Sequence, residues 1–131
     1  MKIAKTAIAI IAALALGTGI AAASSNGNKY AMSGTIRGET YIMYQNHMAL
    51  YTYDKDESGV SNCYDQCAII WPPAVMAAGT KLGENYTLIK RKDGTMQIAY
   101  KGQPLYLYSK DAKIGDISGD GVKGVWRVAR P

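Results

Sequence analysis

Beyond residue 38 the chain is a succession of short runs of apolar and polar residues, set off by Gly, Asp and Asn. Residues 39–45, 48–54, 85–91, 95–100, 104–108 and 124–128 are rich in Tyr, Ile, Val and Thr and predict strands. The period of two places Tyr51 and Tyr53 on one face of their strand and Leu50 and Thr52 on the other. In the same way Leu105 and Leu107 oppose Tyr106 and Tyr108. Asp93-Gly94 predicts a hairpin turn between the third and fourth strands, and Lys101-Gly102 marks another. A single short helix is predicted. Asn62 caps it, with Asp65 three residues on as in a capping box; Cys63, Cys67 and Ile70 share its inner face; Trp71-Pro72-Pro73 ends it, because a residue before proline leaves the helical region. The expected class is all-β, mostly antiparallel and hairpin-built, with one short helix.

A duplication runs through this pattern. Leu50-Tyr-Thr-Tyr-Asp-Lys-Asp56 recurs as Leu105-Tyr-Leu-Tyr-Ser-Lys-Asp111, at an offset of 55 residues, and Trp71 and Trp126 differ by the same 55. The segment 41–44 precedes the first copy and 96–100 the second, so each copy reads as strand, tight turn, strand, long loop, tryptophan. Two copies, about 39–73 and about 95–128, predict one pseudo-symmetric domain over 39–131 rather than a solenoid, which needs at least three repeats. Each half is expected to be fastened by its own aromatic pair, acid and indole.

The first residues follow a different pattern. Two lysines among residues 1–5 precede an apolar run over 7–23 that ends in Ala-Ala-Ala-Ser. Basic start, apolar middle and small residues before a polar stretch are the order of a secretory signal, with cleavage expected after Ala23. The run is 17 residues long and broken by Gly17 and Gly19, whereas a spanning helix wants about 20 apolar residues. No cysteine lies near the cut, so neither a lipid anchor nor a stable membrane anchor is expected. The residues from 24 to 38 are small and polar at their start and are expected to be flexible. The expected location is periplasmic or secreted.

Composition narrows the chemistry. Of the 131 residues, about 108 remain after cleavage, enough for one domain. Losing Lys2 and Lys5 lowers the formal charge from +5 to +3. The remaining cations are scattered, and the only run, Lys90-Arg91-Lys92, is followed at once by Asp93, which reads as a solvated face rather than a nucleic-acid surface. Cys63 and Cys67 are the only cysteines. In an oxidising compartment a disulfide is the default, but side chains four apart on a regular helix do not approach to the ~3.8 Å between Cβ atoms that a disulfide wants. Either the first turn is distorted or the thiols are free.

These residues together resemble a bacterial family of secreted repeats, small lipoproteins and exported proteins with a Tyr-x-aromatic-x-x-Asp motif. Tyr51/Tyr53/Asp56 and Tyr106/Tyr108/Asp111 match that motif twice. Cys63-x-x-x-Cys67-Ala, Trp71-Pro-Pro, Asp93-Gly94, Gly102-x-Pro104-Leu105-Tyr106, Gly115-Asp116, Gly119-Asp120-Gly121 and Trp126 look like its other landmarks, from about residue 39 to 128. The chain differs from the lipoprotein members in lacking a lipid-attachment cysteine. The resemblance implies class and compartment, and no activity.

Four sets of residues could carry chemistry. The repeated tyrosines and aspartates, with Trp71 and Trp126, form either two structural corners, each acid accepting backbone N–H bonds in its turn, or an aromatic platform for a sugar, peptide or haem-like ligand. Free Cys63 and Cys67 could join Met43, Met48 or His47 around copper(I), although two cysteines and one histidine do not complete a Cys/His zinc site. Asp116, Ser118 and Asp120, with Asp111 from across the loop, resemble the start of a calcium loop, but Arg127 stands where the bidentate glutamate should be. Asp54, Asp56 and Glu57 cluster at a strand end, and His47 sits alone in a turn; no nucleophile has a partnered base in sequence. The expectation is a non-enzymatic binding or envelope-structural module, its partner a small ligand or an envelope protein, with no required cofactor. The alternative is a metal- or redox-linked accessory protein.

Overall fold

The computed structural model describes residues 29–131. The expected leader, and residues 24–28 of the expected flexible segment, lie outside the described residues. Most of the remainder of that segment forms a strand: β1 (Ala31–Ile36) pairs antiparallel with β2 (Glu39–Tyr44). The outward Ser33 and Thr35 hide the strand in the sequence, while Ala31, Met32, Gly34 and Ile36 are buried or half-buried. Gly34 makes room for Met43, whose Cε would lie 2.9 Å from a Cβ there. The hairpin turns on Arg37-Gly38, with φ of 54° and 83°, the two left-handed residues that a right-twisted two-residue hairpin requires.

The chain continues through β3 (Tyr51–Tyr53), helix α1 (Gln66–Ile70), β4 (Val75–Met76), β5 (Tyr86–Lys90), β6 (Met96–Tyr100), β7 (Gln103–Pro104), a 3-10 turn (Val122–Gly124) and β8 (Trp126–Val128). All pairings between these strands are antiparallel: β1 with β2, β3 with β8, and β6 between β4 and β5, with β7 also on β6. Among the described residues no helix is long and apolar enough to cross a membrane.

The two halves are exchanged rather than merely packed. The strand carrying Tyr51 and Tyr53 pairs with β8 of the second half, Tyr51 opposite Val128 and Tyr53 opposite Trp126. Its counterpart in the second half meets the first, Tyr106 bridging Pro73. The matching bonds recur 55 residues apart: Asp54 N–H donates to Val125 O and Ser109 N–H to Ile70 O, while Ala129 N–H donates to Leu50 O and Ala74 N–H to Leu105 O. At the centre Tyr51 and Tyr106 exchange both backbone bonds, at 2.7 and 2.9 Å. That pair marks the pseudo-two-fold axis. The pairing departs from the expectation that each half is fastened by its own aromatic pair, acid and indole: each tyrosine segment pairs with the other half. The expected strands also shorten, most visibly at 104–108, because Pro72 and Pro73 face that segment and offer it no N–H.

Two apolar clusters lie on opposite faces of the tyrosine strands, as the alternation predicts. One is aromatic and contains Tyr51, Tyr106, Trp71 and Trp126. The other is aliphatic and contains Ile42, Leu50, Ile98 and Leu105.

The helix differs from its expected form. It begins at Gln66, after Asp65 at φ 55°, and has no side-chain cap. Asn62 does not cap it: its N–H goes to Asp56 Oδ1 at 2.7 Å and its amide nitrogen to Lys55 O at 2.8 Å. Ile70 is 37% exposed rather than inward. Cys63 consequently stands outside the helix, and the left-handed Asp65 bends the chain enough to bring its Cα within 5.3 Å of that of Cys67, to which it is disulfide-bonded. The distorted turn was one of the two outcomes the spacing allowed. Replacing both cysteines with alanine is expected to lower stability by about 2 kcal/mol, the chain-entropy value for so short a loop. Urea denaturation checks this: a lowered midpoint at unchanged slope is the expected result.

Candidate functional site

The repeated motif converges on one seam between the halves. Each Tyr-x-Tyr-x-x-Asp places two rings on one strand face and its acid in the following turn, where Asp56 N–H donates to Tyr53 O and Asp111 N–H to Tyr108 O. The side chains then cross over. Tyr51 Oη donates to Asp111 Oδ2 at 2.6 Å, and Tyr106 Oη to Asp56 Oδ2 at 2.7 Å. The other oxygen of each acid holds its own loop: Asp56 Oδ1 accepts from Asn62 N–H and Asp111 Oδ1 from Ser118 N–H. One carboxylate thus ties a loop to the opposite half.

The rings cross over too. Tyr108 stacks on Trp71 at 4.1 Å, Trp71 on Trp126 at 3.8 Å, and Trp126 on Tyr53 at 4.2 Å, all within 20° of parallel. Tyr51 meets Trp71 edge-on at 5.4 Å, and Tyr106 meets Trp126 at 5.2 Å. Each such contact contributes roughly 1 kcal/mol beyond burial. Both indoles are nearly fully buried, so their faces stack on tyrosines and on each other. Gly119 lies against this seam; a Cβ there would fall 2.7 Å from Trp71 Cη2 and 2.9 Å from Tyr51 Cε2.

Burial pushes the Tyr51 and Tyr106 hydroxyls far above the usual phenol range, and the acids that accept their hydrogen bonds push them further. Both remain hydrogen-bond donors at any physiological pH. Asp56 is raised chiefly by burial, against the opposing pull of the Tyr106 and Asn62 bonds and the Arg91 charge.

The halves differ around this common frame. Arg91, expected on a solvated face, is 4% exposed. Its guanidinium donates to Ser61 Oγ at 2.9 Å, Gln97 Oε1 at 2.8 Å and Cys63 O at 2.8 Å, and lies over the Tyr64 ring at 4.3 Å. Ser61 Oγ also shares a 2.6 Å bond with Tyr106 Oη. Between Lys90 and Lys92 the sequence carries no signal that Arg91 turns inward. Tyr41 stands where the second half has Gln97, since Ile42 and Ile98 donate to the matched Ala129 and Ala74 carbonyls. Its hydroxyl is buried without a partner.

The calcium-like residues are not brought together as ligands. Asp116 Oδ2 accepts from Ala112 and Lys113 N–H, Asp120 Oδ1 from Val128 N–H, and Asp111 is held as above. Among the described residues no three His, Cys, Asp or Glu side chains are grouped as a metal site. The copper arrangement needs two thiolates, and both sulfurs are in the disulfide. Met43 is buried in the aromatic cluster, Met48 is half-buried and His47 lies exposed in its turn at φ 68°. Asp54 pairs with Arg127 at the surface; Glu57 is exposed.

A sequence family described as a secreted repeat of unknown function matches residues 40–75 and 87–130. The chain belongs to that family. Each matched secreted repeat holds a hairpin strand, a Tyr-x-Tyr-x-x-Asp segment and a long loop that ends at a tryptophan, so the exchanged halves are the two repeats. The second begins earlier than expected, taking in most of β5. Searches of curated proteins and of solved structures returned no match.

The raised Asp56 has a sign that can be read in solution. Its folded state holds a proton more tightly than its unfolded state, so its contribution to stability grows as pH falls through the folded value and levels off below the ordinary 3.8. The exposed Asp93 and Asp116 are lowered by their own hydrogen bonds and act in the opposite direction, but they are common to both proteins in a comparison with Asp56→Asn. The advantage of the wild type over that variant is expected to widen between neutral pH and about 4. Paired urea titrations across that range measure it.

Proposed function

We propose that the mature domain is a non-enzymatic module of the periplasm or cell exterior, exported by a leader removed near Ala23, which binds a small ligand or an envelope protein. The observation that carries this reading is the use of the motif. Its tyrosines, aspartates and tryptophans, the side chains best suited to chemistry, are bonded or stacked across the two repeats. The hydroxyls are locked as donors, and each acid already accepts a hydroxyl and a backbone amide. Such groups hold a scaffold rather than attack a substrate. The disulfide fits an oxidising compartment.

Expression of the full chain in a bacterial host tests both parts. The protein is expected in the periplasmic or culture fraction, shortened at its N-terminus and without titratable thiol. It is expected to give no turnover on esterase, phosphatase, glycosidase and peptidase substrates. A cytoplasmic, full-length product contradicts the export; turnover abolished by Asp56→Asn or Asp111→Asn in a folded variant contradicts the non-enzymatic reading.

A further inference from the structure

Internal symmetry supplies a control for the surface. On the outer side of the β3–β8 pair lies an open pocket of about 340 Å³ lined by Thr52, Tyr100, Gln103, Asp120, Arg127 and the 128–130 segment. The pseudo-symmetric position, built from Leu107 of the second repeat and Tyr44, Pro72 and Val75 of the first, corresponds to that of Thr52, Tyr100, Arg127 and Arg130. There Leu107, Pro72 and Val75 are apolar, and Tyr44 lies across the flank, its hydroxyl donating to Val75 O at 2.6 Å. In the second repeat Tyr100 instead leans on Tyr86, with ring centroids 5.0 Å apart. On the same scaffold the tyrosine is thus placed differently, and Leu107, Pro72 and Val75 are replaced by the hydrogen-bonding Thr52, Arg127 and Arg130.

The arginines are held in place. Arg127 sets Nε and Nη2 on Asp54, and Arg130 sets Nη1 on Thr40 O and Nη2 on Glu39. Exposed ion pairs of this kind contribute little stability, but here they orient two guanidinium groups while leaving Arg127 Nη1 and Arg130 Nε as donors. Asp120 uses Oδ1 on Val128 N–H, leaving Oδ2 as an acceptor. Thr52 and Gln103 add a hydroxyl and an amide.

We propose that this pocket binds a small hydroxylated carboxylate of the sugar-acid class. The inference rests on the reading of the domain as a binding module and names its ligand chemistry. Guanidinium donors match a carboxylate. Asp120, Thr52 and Gln103 match hydroxyl groups, and acetate and sulfate have none to offer Asp120 Oδ2. A neutral sugar would leave the guanidinium donors unmatched. The volume is at the lower end for ligand clefts, which suits a single ring.

Two-dimensional amide NMR of the mature protein, titrated with D-glucuronate, D-glucose, acetate and sulfate, tests this. Glucuronate is expected to give saturable shifts in the low-millimolar range at Thr52, Gln103, Asp120 and Ala129, and at the Arg127 and Arg130 side-chain Nε–H. Glucose, acetate and sulfate are expected to bind at least about tenfold more weakly. Arg127→Gln with Arg130→Gln is expected to weaken glucuronate about tenfold; Gln103→Ala, which leaves both ion pairs intact, also weakens it. The absence of saturable glucuronate shifts, equal shifts from acetate or sulfate, or shifts confined to another surface would overturn the assignment. Those outcomes leave the non-enzymatic reading standing, and turnover in the substrate panel would remove that reading instead.

Discussion

The fold depends on the exchange at its axis: each repeat's tyrosine donates to the other repeat's aspartate, around a backbone pair formed by the same two tyrosines. A hydroxyl buried against a carboxylate is favourable only while both partners are present, because losing one leaves a desolvated polar group at a cost of roughly 1–3 kcal/mol. Each acid also holds the first residues of its own loop, so the strand, the loop and the opposite half are coupled through one side chain. The four stacked rings act in the same direction. Their contacts join Tyr108 to Trp71 and Tyr53 to Trp126, so neither repeat contains both members of a stack. The apolar core of a chain this short is modest, and in this one the stacked contacts of its aromatic half form only when the repeats are together.

The two loops solve a common problem differently. Both must close over the seam and leave no buried polar group exposed to the apolar interior. The first loop is closed by a disulfide and by Arg91, whose guanidinium satisfies Ser61, Gln97 and the Cys63 carbonyl at once. The second has no sulfur; Asp111 and Asp116 accept its amides, and Gly119 lets the backbone approach Trp71 and Tyr51 closely. The scaffold therefore tolerates divergence in its loops and flanks while its axis stays symmetric, and the polar pocket beside β8 is one product of that divergence.

Much of this was legible in the residues. The period of two gave the two faces of each tyrosine strand correctly, and the 55-residue offset gave the pseudo-symmetry, because both follow from side-chain spacing alone. The offset establishes that Tyr51 and Tyr106 are equivalent, but it carries no information on whether each meets its own aspartate or the other's. That choice is made by strand pairing, which is non-local. β1 was hidden because Ser33 and Thr35 lie on its solvent side and resemble linker residues. Asn62 has the chemistry of a helix cap, yet the buried Asp56 competes for its backbone amide and wins. Arg91, flanked by two exposed lysines, gives no sign in composition that it turns inward. Of the expected calcium ligands, Asp116 and Asp120 turn a carboxylate oxygen to backbone amides, and Asp111 divides its two between Ser118 N–H and the Tyr51 hydroxyl.

The central claim is that neither repeat is complete without the other. Its most direct test is a chain cut in the exposed connection between β4 and β5, giving fragments 24–79 and 80–131 studied separately and mixed. The account predicts that each fragment alone lacks the near-ultraviolet circular dichroism of packed tryptophans and unfolds without a cooperative transition, and that equimolar mixing restores both. A fragment that folds cooperatively by itself, with a native-like tryptophan signal, would contradict it.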